Sequence, residues 1–304
     1  MPASAPFPRH FAVLLLALLA SAFAANHIAA RIAFDHDTGL LLAILCRSGV
    51  TLLVLAGLLL WQRQSLRLPA ATWRWQLLTG LLIAIQSFCI YSAVARIPVA
   101  LALLVVNLAP ILLALLTWAL GGGAPSRRSA LLMGLILVGL VFALDVPARL
   151  AGQGTTDARW WQGIGFGLTA AAVFACALRI TDTRLKQLNG TLRSTLTLLV
   201  VFLSTAVAGL SGLLPGGLGL PTAAPGWWAL ACLVLLYGVA FSLLFGCMAR
   251  LDIGRNAPVM NVEPVAGLFF GWLILDQTLS GGQLFGALIV VAGILLLTYR
   301  RTPG

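Results

Sequence analysis

The residues best suited to chemistry in this chain are polar groups set inside long apolar runs. Glu263 is the only glutamate. It sits about seven residues into an apolar run, or ~10 Å along a helix rising 1.5 Å per residue. An ionisable group at such depth costs on the order of 2.5–3.5 kcal/mol to insert, so its default reading is functional, as a proton carrier or a substrate contact. Two structural readings compete: a partnership with Arg47, or a protonated carboxyl bonded to backbone freed by the neighbouring Pro264. Arg47 lies about nine residues into another apolar run, a comparable depth by the same rise. Its guanidinium can pair with Glu263 or hold a substrate carboxylate in a bidentate fork. Sequence leaves both open.

A second pattern is Asn-x-x-Pro, which occurs as Asn107-Leu108-Ala109-Pro110 and as Asn261-Val262-Glu263-Pro264. Proline removes a helix hydrogen bond and crowds the carbonyl four residues earlier, here Val106 and Met260. An asparagine three residues before the proline lies on nearly the same face. Together they predict a polar notch at a kink inside an otherwise apolar helix, either lining a substrate path or satisfied by helix packing. Asn26 and His27 are polar in the first apolar run, and an unperturbed histidine titrates near neutrality. Gln86 and Tyr91 are weaker cavity-lining candidates. Asp35-His36-Asp37 has metal-ligating residue types but falls in a short polar connection and reads as solvated.

The elements that must carry these residues are membrane helices. Hydrophobic residues make up 61% of the 304 and charged residues only 9%, against roughly 25% charged in a soluble domain. Ten apolar spans are expected, at 11–30, 38–61, 75–94, 98–120, 130–147, 162–180, 194–215, 226–248, 257–275 and 281–299. Each is near the ~20 residues that cross a bilayer. In lipid every backbone polar group needs an internal partner, so the spans must be helices. The first resembles a cleavable signal around Ala20-Ser21-Ala22. It is read as a span because the apolar run continues to Ala30.

The net charge of +11 does not point to nucleic acid, because the basic residues are dispersed through short connections. With the N-terminus inside, the inner connections and tails hold fourteen: Arg9, Arg63, Arg67, Arg74, Arg127, Arg128, Arg179, Arg184, Lys186, Arg193, Arg250, Arg255, Arg300 and Arg301. The outer ones hold four: Arg31, Arg96, Arg149 and Arg159. That bias predicts both termini in the cytoplasm. The nine tryptophans fall at or near span ends, where the headgroup level suits an amphipathic ring. Five dispersed cysteines in apolar runs read as packing, with no disulfide framework or metal site.

The chain also repeats itself. At a constant offset of 154, Trp73, Arg96, Asn107, Pro110, Trp118 and Gly139 fall on Trp227, Arg250, Asn261, Pro264, Trp272 and Gly293. Residues 11–147 and 162–299 form the expected halves, joined by 148–161. Five spans per half is an odd number, so the second half is inverted. In such folds the substrate site lies near the midplane between the halves. The expected class is therefore an all-α integral membrane protein of ten helices in two inverted five-helix repeats.

These motifs resemble the EamA-type permeases of the drug/metabolite transporter superfamily. Phe23-Ala24-Ala25-Asn26-His27-Ile28-Ala29-Ala30-Arg31 is similar to that family's first-helix W-G-x-N-F-V-A-x-R, and Arg47 to its second-helix arginine. Asn261-Val262-Glu263-Pro264-Val265 is similar to its L-E-P-V stretch, and Gln283 to Gly293 to its closing Q-x-x-G-x-x-x-x-x-x-G. Asp276 stands where the family usually has a glutamate, and Gly122 stands at the matching position of the first half. The resemblance implies ten helices in inverted repeats, cytoplasmic termini, and movement of small metabolites, often export of amino acids or related compounds.

The expectation is a secondary transporter or facilitator for a small polar, amino-acid-like metabolite, working outward across the cytoplasmic membrane. Asn26, His27, Arg47, Gln86, Tyr91, Asn107, Pro110, Asn261, Glu263 and Pro264 are expected to line or gate its path. An importer or exchanger of a larger metabolite has the same architecture. A polytopic membrane enzyme would need a catalytic cluster, and none is legible; a non-transporting subunit is a further alternative. No cofactor, metal or nucleic acid is expected. The bilayer and a small-molecule substrate are the expected partners, proton coupling is a candidate, and a homodimer is left open.

Overall fold

A computed structural model describes residues 7–62, 69, 72–146, 148, 158–212, 217–247, 250–251 and 257–298. All regular elements among them are helices: α1 (Arg9–Asp35), α2 (Leu40–Trp61), α3 (Trp73–Val94), α4 (Val99–Val106), α5 (Ala109–Ala119), α6 (Arg127–Ala143), α7 (Ala158–Arg184), α8 (Gly190–Leu210), α9 (Ala224–Cys247), a 3₁₀ helix (Ala257–Asn261), α10 (Val262–Leu275) and α11 (Gly281–Thr298). Leucine and alanine favour these helices. Some starts carry side-chain caps: Ser126 accepts from the Ser129 N–H and Asn189 from the Thr191 N–H. Each satisfies an orphan donor of a first turn.

Seven helices are long and apolar enough to cross a membrane, counting Val99–Ala119 as one; Val259–Leu275 and Gly281–Leu297 are shorter apolar helices. The 17-residue α6 begins with Arg127-Arg128. Large apolar side chains such as Leu53, Leu60, Leu131, Val207, Leu210 and Leu235 lie on the outside of the bundle, as lipid-facing surfaces require. The joint expected over 148–161 lies mostly outside the described residues, and α7 already begins at Ala158.

The fourth and ninth expected spans correct the expectation of a kink. Each is broken in two. α4 ends at Val106 with Asn107 as its C-cap, and α5 begins at Ala109, with Pro110 in its first turn. In the second half the 3₁₀ helix ends at Asn261 and α10 begins at Val262. The two asparagines share one backbone conformation, φ −69° and ψ 3° at Asn107, φ −69° and ψ 0° at Asn261. A proline in the first turn of a helix loses no bond it would otherwise make, so a fresh start is cheaper than a kink. The Asn107 side chain donates to the Leu103 carbonyl at 2.9 Å.

Helix neighbours come in pairs that survive exchange of the halves. α1 packs on α9 and α10, as α7 packs on α3 and on α4 and α5. α2 packs on α9, as α8 packs on α3; α2 also meets α8, and α6 meets α11. Direction follows from particular contacts. Arg31 Nη1 donates to the Val94 carbonyl at 3.0 Å, joining the ends of α1 and α3. Gly163, in the first turns of α7, lies against Ile97 and Arg96 just beyond α3. α7 therefore starts at the end of the bundle where α1 finishes. Gly139 of α6 faces Ile289 of α11, and Gly293 of α11 faces Ile136 of α6, the close approach that small residues permit between membrane helices.

At the centre, α4 is buried along its whole length. Its first N–H, from Val99, donates to Gln277 Oε1 at 3.1 Å, so a side chain from the second half caps a helix of the first. Ile97, Leu101 and Leu104 pack there with Ile28, Ile44 and Tyr91. This plug closes the end of the bundle where α1 finishes.

Candidate functional site

Below the plug lies a cavity of about 540 Å³. Eight pairs of its lining residues are separated by the 154-residue offset: Phe23 and Ala177, His27 and Thr181, Ile83 and Tyr237, Ser87 and Phe241, Ile90 and Leu244, Val106 and Met260, Asn107 and Asn261, Ala109 and Glu263. A wall built from equivalent positions of both halves is what a cavity between related halves requires. The cavity extends to Thr79 of α3 and to Arg193, Ser194 and Thr197 in the first turns of α8. Those turns are tied by Gln76, whose Nε2 donates to the Arg193 carbonyl at 3.1 Å and to Thr197 Oγ1 at 2.9 Å.

Arg47 of α2 is 4% exposed yet reaches the cavity. Its guanidinium carbon lies 4.3 Å from the Tyr91 ring centroid and 4.5 Å from that of Tyr237. Nη1 donates to the Tyr91 hydroxyl at 3.0 Å, and that hydroxyl donates to Asn26 Oδ1 at 3.2 Å. Asn26 Nδ2 in turn donates to the Leu233 carbonyl of α9 at 2.7 Å. A relay through α1, α2, α3 and α9 thus fixes one cation between two aromatic faces, an arrangement that strengthens when desolvated.

Glu263 does not pair with Arg47. Among the described residues the basic side chain beside it is His27, with Nε2 3.7 Å from Oε1, a contact that is an ion pair only when the imidazole is protonated. The separation is longer than a hydrogen bond. His27 Nδ1 is buried without a hydrogen-bond partner among the described residues, and the ring meets Tyr91 edge-on at 5.8 Å.

Of the sequence candidates, His27, Arg47, Gln86, Asn107, Pro110, Asn261 and Glu263 line the cavity. Asn26, Tyr91 and Pro264 do not; all three are buried. For Asn26 and Tyr91 the expectation of a lining role becomes one of holding Arg47, because both are used up in the relay. Tyr237, Thr79, Thr181, Arg193, Ser194 and Thr197 were not anticipated. Tyr237 could have been: the chain has three tyrosines, and a phenol deep in an apolar run is as conspicuous as an asparagine. His36, expected in a solvated triplet, donates from Nδ1 to the Ile32 carbonyl, while Asp35 pairs with Arg31 and Asp37 accepts from Thr222. Among the described residues no group of metal-ligating side chains is found, and the cysteines are free.

Residues 10–144 and 161–299 each match the profile of the EamA-like transporter family. Sixteen solved chains match the structure. One, a crystal structure of a protein 19% identical in sequence, covers 94% of this chain and 96% of its own with a TM-score of 0.59, a likeness of fold alone. No curated protein matches in direct sequence comparison.

Proposed function

The chain belongs to the EamA-like transporter family, a family of membrane transporters rather than enzymes, and on that premise we propose that it is a secondary transporter or facilitator carrying a small polar, amino-acid-like metabolite out across the cytoplasmic membrane. The observation that carries this reading is the cavity between the halves, lined by the Arg47 guanidinium and the Glu263 carboxyl group. Arg47 takes a carboxylate-like group in its fork, and the Glu263 carboxyl with the His27 imidazole beside it takes a polar or cationic group or a proton. The apolar remainder of the substrate lies against Ile83, Leu103, Val106, Phe174 and Leu178.

The exchange-paired helix contacts and the reversed start of α7 support two inverted five-helix repeats making ten spans. The basic residues support cytoplasmic termini. In that orientation the cavity reaches toward the cytoplasm through the turns at Thr79 and Arg193, and the α4 plug closes the outside. Alternating access then rocks α1, α9 and α10 against α3, α5 and α7, with the breaks at Asn107 and Asn261 absorbing the change.

The test is uptake and counterflow in liposomes with a panel of amino acids, their acetylated forms and nucleosides, varying pH gradient and voltage separately. Saturable flux of at least one amino-acid-like compound is expected. Flux of none, by protein shown to be inserted, ends the proposal. Cysteines placed singly at 187 and 218 should be labelled from inside and outside respectively; the reverse ends the orientation.

A further inference from the structure

Arg47 shares the central cavity with a second arginine, Arg193 in the first turn of α8. The two stand far apart. Gly49 of α2 lies against the Phe202 ring of α8, and α8 starts where α7 ends, so it runs opposite to α2. From that shared level Arg47 is two residues toward the closed end and Arg193 nine residues toward the mouth, about 16 Å apart along the axis. Tyr91 and Tyr237 hold the Arg47 guanidinium at its own level. Glu263, the only acid lining the cavity among the described residues, lies beside His27, whose ring meets Tyr91 at that same level. One carboxylate group therefore cannot engage both arginines at once, and the mouth has a cation without the acid of the deep site.

The turn that carries Arg193 is braced, and its polar side chains are unspent. Gln76, buried on α3, donates from Nε2 to the Arg193 carbonyl and to Thr197 Oγ1. Arg193 and Thr197 are four residues apart and share a face of α8, with Ser194 beside them in the cavity lining. Thr195 and Ser204 of the same helix give their hydroxyl protons to the carbonyl four residues back, the ordinary use of such a group in a helix. Ser194 and Thr197 donate no hydrogen bond among the described residues. The Thr197 oxygen already accepts from Gln76 and is left with a proton to give. Arg193 is half-buried and forms no ion pair among the described residues; Asp182 of α7, the acid whose charge acts on it, is exposed and outside the cavity lining. At the 154-residue offset the first half has Gly39, Leu40 and Ala43 in place of Arg193, Ser194 and Thr197. The polar turn is present at one end of the bundle only.

We propose that Arg193, Ser194 and Thr197 form a second anion site at the mouth, which takes the carboxylate of an amphipathic substrate before it passes to Arg47. A guanidinium fork and two hydroxyl donors suit a carboxylate, and the apolar body it carries lies along Phe174 and Leu178 of the same lining. Passage from mouth to depth exchanges one arginine for another, so the charge leaves a partner only to meet a second; an unpaired carboxylate on an apolar wall is costly. The entry role rests on the transport reading above, whereas the anion site itself does not. With Gly39, Leu40 and Ala43 at the matching positions of the other end, the site collects anions from the mouth side alone, which is the cytoplasmic side in the proposed orientation.

The experiment uses the wild-type protein in phosphatidylcholine nanodiscs, where both faces are open. It is treated with phenylglyoxal at rising concentrations of N-acetylleucine, which carries a carboxylate, or of the uncharged N-acetylleucinamide. Arginine modification is read by peptide mass spectrometry. N-acetylleucine is expected to slow modification of Arg193 about tenfold, the size of effect expected for a charge-assisted contact, with no change at the exposed Arg127. The amide should slow neither. Arg47→Ala should leave the protection of Arg193 in place, and Ser194→Ala combined with Thr197→Val should weaken the protecting affinity about threefold or more. Modification of Arg193 that ignores the carboxylate, or is slowed equally by the amide, overturns the anion site. Loss of protection in Arg47→Ala overturns its separateness, because Arg193 would then only report occupancy of the deep site. Unchanged affinity in the double variant removes the hydroxyls from it. Binding is read without flux, so absence of flux in liposomes ends the transport reading and leaves the site standing.

Discussion

On one wall of the central cavity, α1, α9 and α10 present His27, Tyr237 and Glu263; at the matching positions of the other wall, α7, α3 and the α4–α5 break present Thr181, Ile83 and Ala109. The backbones correspond, down to the equal dihedral angles of Asn107 and Asn261. The side chains do not. Duplication supplies the mechanics twice, two broken helices and two packing partners, while at these matched positions the ionisable side chains are on one side only. Under the proposed function, that division holds an amphipathic substrate in one orientation.

The largest effect that could break this comparison belongs to Arg47, the cation that α2 places against the polar wall. Arg47→Ala removes the group held by Tyr91 and Tyr237 and should lower flux about a hundredfold, as the loss of a charged contact in a desolvated site predicts. Arg47→Lys keeps the charge but loses the fork, and should recover only part of the loss. Initial rates in liposomes, normalised to inserted protein, measure both. Alanine at wild-type rate would leave the polar wall without a substrate contact.

Next in size is Glu263→Gln, expected to remove the response of flux to a pH gradient while the protein still inserts. The transplant Ala109→Glu with Glu263→Ala sharpens the test. The carboxyl then stands at the matching position of the other wall, where Thr181 replaces His27. The pH response should stay lost, because no imidazole faces the new acid. Its return would show that depth in the membrane, not the wall, sets the coupling.

How far the sequence disclosed this arrangement depends on which coordinate was needed. The repeat was legible because a constant offset survives wherever the same backbone event recurs, and Asn107 and Asn261 mark that event. The break was read as a kink, because a proline in a helical pattern reports a missing hydrogen bond but not whether a new helix starts beside it. Depth along the helix put Arg47 and Glu263 at similar levels, and depth is one coordinate. The azimuth that turns Arg47 toward Tyr91 and Tyr237, and Glu263 toward His27, comes from α1 packing against both α9 and α10, which no single span encodes. The mouth residues Thr79, Arg193, Ser194 and Thr197 were passed over because polar side chains near span ends ordinarily meet the headgroups.

Tyr237 separates ring from hydroxyl at the polar wall. Tyr237→Leu removes one of the two faces on Arg47 and should reduce flux about fivefold, within the range of a partly desolvated cation–π contact. Tyr237→Phe keeps the face and should stay within about twofold. A large loss in the phenylalanine variant would assign the role to the hydroxyl and make Tyr237 a substrate contact.

The smallest expected effect tests the shared half of the comparison. Asn107→Ala removes the side-chain bond to the Leu103 carbonyl at the end of α4, a loss of about 1 kcal/mol of local stability. If the two breaks are equivalent hinges, Asn107→Ala and Asn261→Ala should slow flux by similar factors, about twofold to threefold, and neither should change its response to a pH gradient. Flux and pH response, measured side by side, therefore separate the two ingredients. Asparagine variants on either wall alter rate alone, whereas Glu263→Gln alters coupling. An Asn261→Ala variant that lost the pH response, with Asn107→Ala unaffected, would mean that the second break belongs to the chemistry of the polar wall and that only the backbone conformation is truly doubled.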